Sequence, residues 1–292
     1  MKSAAVIGAN SMLGTQLVTV LSSMGVEVIS VGRYAQADIH LDLEKGFLSP
    51  LPDNTHADVI FHCAASFADD SREGIRKNFQ VNTAGCLWVL KLAKHLGCNA
   101  IVYAGSVSSL ETLDPGKYTS YGFFKAQAED LLNWGMNKLN SRFCSLRFSQ
   151  IYDTGGDCLR HQPWFGRIIA YASRGLDINM PRSDGVRNFL HLDDAVRMMV
   201  AAGQSKVNGV LNVVHPESLT YHEIALATYA LFAKHGEVKI DPNKAAFRPI
   251  NLPDSTQTYN MLGLTPTITV AEGITRIRDQ GTWPAFGPLD VT

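Results

Sequence analysis

The chain is expected to fold as an α/β protein built on a doubly wound parallel sheet (a Rossmann-type layout), with a smaller α/β part in its C-terminal half. Three observations predict this. Short apolar runs alternate with helically spaced segments through the first 150 residues, the pattern of strands buried beneath helices on both faces. A glycine turn, Gly8-Ala-Asn-Ser-Met-Leu-Gly14, joins the first apolar run to the first helical pattern. Beyond residue 150 the alternation breaks, and glycine, proline and aromatic residues crowd 152–186.

Taken in order, residues 4–7 form the first strand, and Leu13, Leu17, Val20, Leu21 and Met24 recur on one face of a helix over 13–24. Strands follow at 26–31, 38–41 and 58–63, a helix at 73–96, a strand at 100–104, a helix at 119–139 and a strand at 143–148. Right-handed crossovers place the C-terminal ends of these strands on one edge, where ligands bind. A strand at 187–192, a helix at 193–203 and a strand at 210–214 return to the sheet, so the first domain is 1–152 with 187–214. The second part is 153–186 with 215–292; residues 216–292, carrying seven prolines, read as short helices and loops. The tail, with Trp283, Pro284 and Pro288, reads as a cover.

Composition narrows the functional classes. With 292 residues, 46% hydrophobic and net charge −1, the chain can bury a large core. It carries no electrostatic footprint for nucleic acid or an anionic membrane. No apolar run approaches the roughly 20 residues that span a bilayer, and the early glycine turn leaves no room for a secretory apolar region. Five scattered cysteines, Cys63, Cys86, Cys98, Cys144 and Cys158, point to a reducing cytosol. The nine histidines show no ligand spacing, so no metal is expected. His62 reads as a hydrogen-bonded core residue.

A glycine turn between strand and helix lets the backbone approach a ligand and aims the helix's free N–H groups at an anion. The expected ligand is a dinucleotide pyrophosphate, held by Gly8, Asn10, Ser11, Met12, Leu13 and Gly14; an ordinary turn is the alternative. About 20 residues on, where an acidic side chain selects NAD, stand Gly32 and Arg33. A guanidinium binds a 2′-phosphate that a carboxylate repels. NADP(H) is therefore the expected cofactor, with NAD(H) as the alternative and a solvated charge as the plain reading of Arg33. Asp42 and Leu43 would lie against the adenine, unless Asp42 is simply a turn residue.

Tyr121 and Lys125, four apart, share one face of a helix. An ammonium beside a phenol favours the phenolate and lowers its pKa, suiting proton exchange with a substrate ketone. Ser106, fifteen residues upstream at a strand end, can hold the same substrate oxygen. Ser106, Ser108 and Ser109 otherwise read as a polar loop.

Taken together, these residues resemble an extended short-chain dehydrogenase/reductase of the NAD(P)-dependent nucleotide-sugar epimerase/dehydratase/reductase family. The matching segments are Gly8–Gly14, Asp58–Ala65, Val81–Gly85 around Asn82, Val102–Ser106, Tyr121–Lys125, Leu146–Tyr152 and Arg187–Asp194, with Gly209–Val213 behind the last. The resemblance implies that Ala64 and Ala65 pass beside the cofactor and that Asn82 supports the active-site helix. Ser106, Tyr121 and Lys125 form the catalytic set, with Tyr121 and Lys125 also touching the cofactor. Ser108 and Gln150 would contact substrate, and Arg187 with Arg248 would grip a diphosphate. Three departures matter. Ser11 replaces a glycine, Gln150 stands where asparagine is common, and no Asp-Glu pair follows Ser106, which argues against a dehydratase. The expected activity is NADP(H)-dependent reduction of a keto-sugar carried on a nucleoside diphosphate, by a cytoplasmic homodimer joined through the helices at 73–96 and 119–139. The alternatives are an epimerase with retained cofactor, a small-ketone reductase, or a non-catalytic NADP(H)-binding regulatory subunit.

Overall fold

The computed structural model describes residues 1–51 and 54–287, so Pro288 lies outside the described residues. Its strands are β1 (Ser3–Ile7), β2 (Glu27–Gly32), β3 (Ile39–Asp42), β4 (Phe47–Leu48), β5 (Val59–His62), β6 (Ala100–Ser106), β7 (Arg142–Phe148), β8 (Gln150–Tyr152), β9 (Ile178–Met180), β10 (Phe189–His191), β11 (Gly209–Val213) and β12 (Val238–Ile240). Its α-helices are α1 (Met12–Ser23), α2 (Arg72–Asn78), α3 (Cys86–Leu96), α4 (Ser120–Lys138), α5 (Pro163–Ala172), α6 (Leu192–Gln204), α7 (Tyr221–Leu231), α8 (Thr256–Leu262) and α9 (Val270–Asp279).

The chain divides into two compact units. The first comprises Met1–Phe148, Ala195–Val213 and Pro253–Leu264. It holds an eight-stranded sheet in the order β11-β7-β6-β5-β1-β2-β3-β4. Every neighbouring pair is parallel except β3 and β4. The order runs outward from β1 in both directions, which makes the gap between β1 and β5 the topological switch point, where ligands bind in such sheets. Ala5 sits level with Ile29 on one side and Ile60 on the other. All five β1 side chains are buried, which explains an uninterrupted apolar run rather than an alternating one.

Helix starts follow side-chain chemistry. Ser11, Ser71 and Thr119 cap α1, α2 and α4 by accepting from the third backbone N–H beyond them. The helix expected over 73–96 is not uniform. Between α2 and α3 lies a π-helical stretch, Phe79–Ala84, a feature that hydrophobic spacing does not encode and that concentrates at functional sites.

The second unit comprises Ser149–Asp194, Val214–Leu252 and the chain from Thr265 on. It contains two parallel pairs, β8 with β10 and β9 with β12. Its core is aromatic: Tyr152 and Phe165 have ring centroids 4.8 Å apart, and Phe165 and Phe189 5.0 Å apart. A reciprocal capping box, Thr220 with Glu223, starts α7. The boundaries differ from those expected. The strand at 189–191 pairs with β8 and not with the large sheet, because Gln150–Tyr152 already belongs to the second unit, and 253–264 folds back onto the first.

Candidate active site

Gly8 has φ +79°, and a Cβ there would stand 2.9 Å from the Ala64 backbone nitrogen. A Cβ on Gly14 would stand 2.0 Å from the Gly8 carbonyl oxygen. Both glycines are thus sterically required, and the loop after β1 touches the loop after β5 at the switch point. The Ser11 hydroxyl accepts the Gly14 N–H at 3.0 Å. The first amides of α1, at Met12 and Leu13, belong to the set without intrahelical carbonyl partners. Asn10 is exposed, Leu13 buried, and Ala64 and Ala65 partly buried. This cradle admits an anionic group against backbone.

Asp42 ends β3, and Leu43 follows it. Asp42 Oδ1 accepts from the backbone N–H of Glu44 at 3.0 Å and of Lys45 at 3.1 Å, so Asp42 holds its own turn. Leu43 is packed in the core beneath the sheet. Arg33 is exposed and lies 3.6 Å from the Glu44 carboxylate. The Tyr34 ring stands 3.0 Å from where a Gly32 Cβ would lie, filling the space an acidic side chain would take. A cavity of about 530 Å³ opens here, lined by Arg33, His40, Asp42, Glu44, Lys45, Arg76 and Gln80. Lys45 and Arg76 were not legible as part of this group, because folding alone brings α2 beside the β3 turn.

Ser106 ends β6, and its hydroxyl accepts the Ser108 N–H at 3.1 Å. It also hydrogen-bonds the phenol of Tyr121, in the first turn of α4. The phenol's pKa is raised, not lowered: burial dominates, and the Ser106 bond opposes it. Lys125 is engaged elsewhere. Its ammonium donates to the Ala104 carbonyl at 2.6 Å and lies 4.0 Å from the centroid of the Tyr103 ring. Burial lowers the Lys125 pKa to about 8, against the favourable field of Glu129. Glu129, one turn further on, is buried and accepts from Ser145 Oγ at 2.7 Å and from Arg147 Nη2 at 2.6 Å. The spacing Tyr121, Lys125, Glu129 is a readable signal for this third member. Deeper still, His62 is buried with Nδ1 lacking a hydrogen-bond partner. Burial and the Lys125 charge depress its pKa to about 3.

Two buried asparagines organise the loop after β5. Asn82 accepts the Ser66 N–H at 2.7 Å and donates to the Ser66 carbonyl at 2.9 Å. Asn78 does the same for Ala68, both at 3.0 Å, and also donates to Ser120 Oγ at 3.0 Å. Phe67, between them, stacks on Tyr121 with centroids 4.4 Å apart and planes 23° apart.

Gln150, Arg187 and Arg248 lie in the second unit, where they form a cluster of their own. Arg187 Nη1 donates to the Arg248 carbonyl at 2.9 Å, and its guanidinium carbon lies 5.7 Å and 5.9 Å from the Tyr221 and Phe247 ring centroids. Gln150 Nε2 donates to Gln162 Oε1 at 2.6 Å, and Gln150 also hydrogen-bonds the Tyr221 phenol. Asn188 and Asp194 are structural. Asn188 donates to the His215 and Glu217 carbonyls, and Asp194 accepts the Thr267 and Ile268 N–H groups. Among the described residues, no group of three or more His, Cys, Asp or Glu is placed to hold a metal.

A parallel sheet with a glycine cradle at its switch point, and Ser, Tyr and Lys beside it, defines an extended short-chain dehydrogenase/reductase fold. The chain belongs to the NAD dependent epimerase/dehydratase family, whose model matches residues 4–214. It is 22% identical over 307 residues to a UDP-glucose 4-epimerase of Lacticaseibacillus casei, covering 90% of this chain and 91% of that one. It is also 27% identical over 232 residues to an uncharacterised protein of Mycobacterium tuberculosis. That match covers 76% of this chain, which spans about a quarter (23%) of the longer mycobacterial relative. The structure of RMD from Pseudomonas aeruginosa, complexed with NADPH, superposes with a TM-score of 0.79 at 16% identity, covering 97% of this chain and 99% of that one.

Proposed function

We propose that the protein is an NADP(H)-dependent oxidoreductase that reduces a ketone on a nucleoside-diphosphate sugar. The observation that carries this reading is the Ser106 hydroxyl bonded to the Tyr121 phenol, at the end of β6 on the ligand edge of the sheet. The bound nicotinamide supplies the hydride. Ser106 orients the substrate oxygen, and Tyr121, with its proton retained by burial, donates that proton to it. Lys125 holds a cation one turn away and can hydrogen-bond a ribose. Ser108 stands beside Ser106 at the same strand end. Gln150, Arg187 and Arg248 are assigned to the substrate's sugar and diphosphate, the arginines acting as charge-assisted donors.

Arg33, Lys45 and Arg76 outnumber Asp42 and Glu44 around one cavity, and with no carboxylate at Gly32 they favour a 2′-phosphate and hence NADPH. The NADPH complex of the P. aeruginosa protein accords with this. The epimerase reading draws support from the L. casei relative. Supplying NADPH with a 4-keto nucleotide sugar separates the two: stoichiometric loss of absorbance at 340 nm is expected, and isomerised product without consumption overturns the reductase. Tyr121→Phe should lower kcat by about 10²–10⁴; unchanged turnover removes the acid/base role. Arg33→Asp should weaken NADPH far more than NADH, and equal affinities in the parent protein defeat the cofactor assignment. Thermal stabilisation by UDP, dTDP, GDP or CDP separates a nucleotide-sugar enzyme from a small-ketone reductase. A regulatory subunit would bind cofactor without turning over.

We further assign the protein to a homodimer and the cytosol. Helices α2 to α4 and the π-helical stretch leave Ile75, Phe79, Leu87, Phe123 and Trp134 exposed. All five cysteines are free. No helix among the described residues is long and apolar enough to cross a membrane.

A further inference from the structure

Phe67 is a large apolar side chain, 52% exposed, yet the residue on each side of it is held by a buried asparagine. Asn82 binds both backbone groups of Ser66, and Asn78 binds both of Ala68. Each asparagine thereby acts as a short strand rung on one side of Phe67. The same loop is tied to the start of α4, since Asp70 accepts the Ser120 N–H at 2.8 Å and Asn78 reaches the Ser120 hydroxyl. Ser120 immediately precedes Tyr121. Loop and helix are therefore locked in one register, and the two rings lie nearly parallel at 4.4 Å. An exposed phenylalanine on a mobile loop would lose such a contact to rotamer entropy; here the clamp has already removed that freedom.

We propose that Phe67 is a positioning residue for Tyr121: held by Asn78 and Asn82, its ring fixes the plane of the phenol and keeps water from one face of it. The proposal rests on the reading of Tyr121 as the acid, and it adds a residue to that machinery which touches no reacting atom. Besides Phe67, Ser106 and Tyr103 from β6 act on the phenol directly; beyond them Lys125 reaches the Tyr103 ring, Glu129 pairs with Arg147, His62 and Cys63 feel the Lys125 charge, and Asp70 accepts the Ser120 N–H. Of these, Ser106 is the hydrogen bond that favours the phenolate. The stacked ring works in the opposite direction, by withholding water from the charged form.

The test uses the full chain with Phe67→Ala and Phe67→Leu, both checked by circular dichroism. Tetranitromethane at pH 8 nitrates accessible phenols, and peptide mass spectrometry reads Tyr121 separately from Tyr34, which serves as the reference. Phe67→Ala should nitrate at Tyr121 roughly tenfold faster than the parent, the change a one-unit fall in phenol pKa gives. Tyr34 should not change. Phe67→Leu, which keeps bulk without a flat face, should fall between, and it carries the test if Phe67→Ala does not fold. With NADPH and a 4-keto nucleotide sugar, the alkaline limb of kcat should move down by about one pH unit, with the KM for NADPH unchanged. Parental nitration of Tyr121 in the folded variants overturns the proposal. Because nitration needs no turnover, a Tyr121→Phe protein that stays active would remove the acid/base reading while leaving the shielding result intact.

Discussion

At the residue scale, the site shows how burial can override a neighbouring charge. Spacing alone suggests that Lys125 acidifies Tyr121, but the ammonium is spent on the Ala104 carbonyl and the Tyr103 face, and desolvation prevails. Burial, joined by the charge of the same ammonium, lowers the His62 pKa from 6.5 to about 3. Between those values the unfolded chain binds a proton that the folded chain refuses, so stability falls as pH drops from 6.5 toward 3. His62→Phe removes this contribution. Relative to the parent, the variant should gain about 3 kcal/mol on moving from pH 7 to pH 4, whatever constant offset its packing brings. Urea unfolding at the two pH values measures that difference; parallel stability curves for parent and variant would show that His62 does not titrate in this window.

At the element scale, the π-helical stretch does what a regular helix would not. It carries Asn82, and follows directly on Asn78 at the end of α2, beside the loop after β5, where the two amides satisfy four backbone groups. Asn82→Ala strands the Ser66 N–H and carbonyl, each at about 1–3 kcal/mol. A loss of about 2–4 kcal/mol in urea unfolding is expected, at constant m-value; a smaller loss means water takes over the pair. This feature marks where the sequence stops being readable. Strand β1, its glycine turn and the Tyr121–Lys125 pair are local, and hydrophobic period or turn chemistry displays them directly. The β8–β10 pairing, the turn made by Asp42 and the packing of Arg76 beside Lys45 depend on contacts between distant segments. No window of the chain displays those. Glu129 sits between the two cases: its helical spacing from Lys125 is visible, but its partner Arg147 comes from β7.

At the scale of the whole molecule, α2, the π-helical stretch, α3 and α4 bury the sheet on one side and still present apolar side chains on the other. Phe79 packs against Phe124 with centroids 5.5 Å apart, and Phe124 against Phe123 at 5.3 Å. Even so, Phe79 is 46% exposed and Trp134 58%. Single exposed apolar residues are ordinary, but several on neighbouring helices signal an interface. Such faces, when covered in a two-fold dimer, meet their own copies, so one substitution is felt twice. Trp134→Glu therefore places two carboxylates at the proposed contact and removes two indoles. Light scattering after size exclusion should give about 64 kDa for the parent, twice the 31.9 kDa chain. The variant should elute as a monomer across the same concentrations. Arg33→Asp, just beyond the end of β2 and not on α4, gives the control for added negative charge and should keep the parental mass. A monomeric parent would refute the assembly. A variant that stays dimeric would move the interface off Trp134, to be sought with Leu87→Glu on α3.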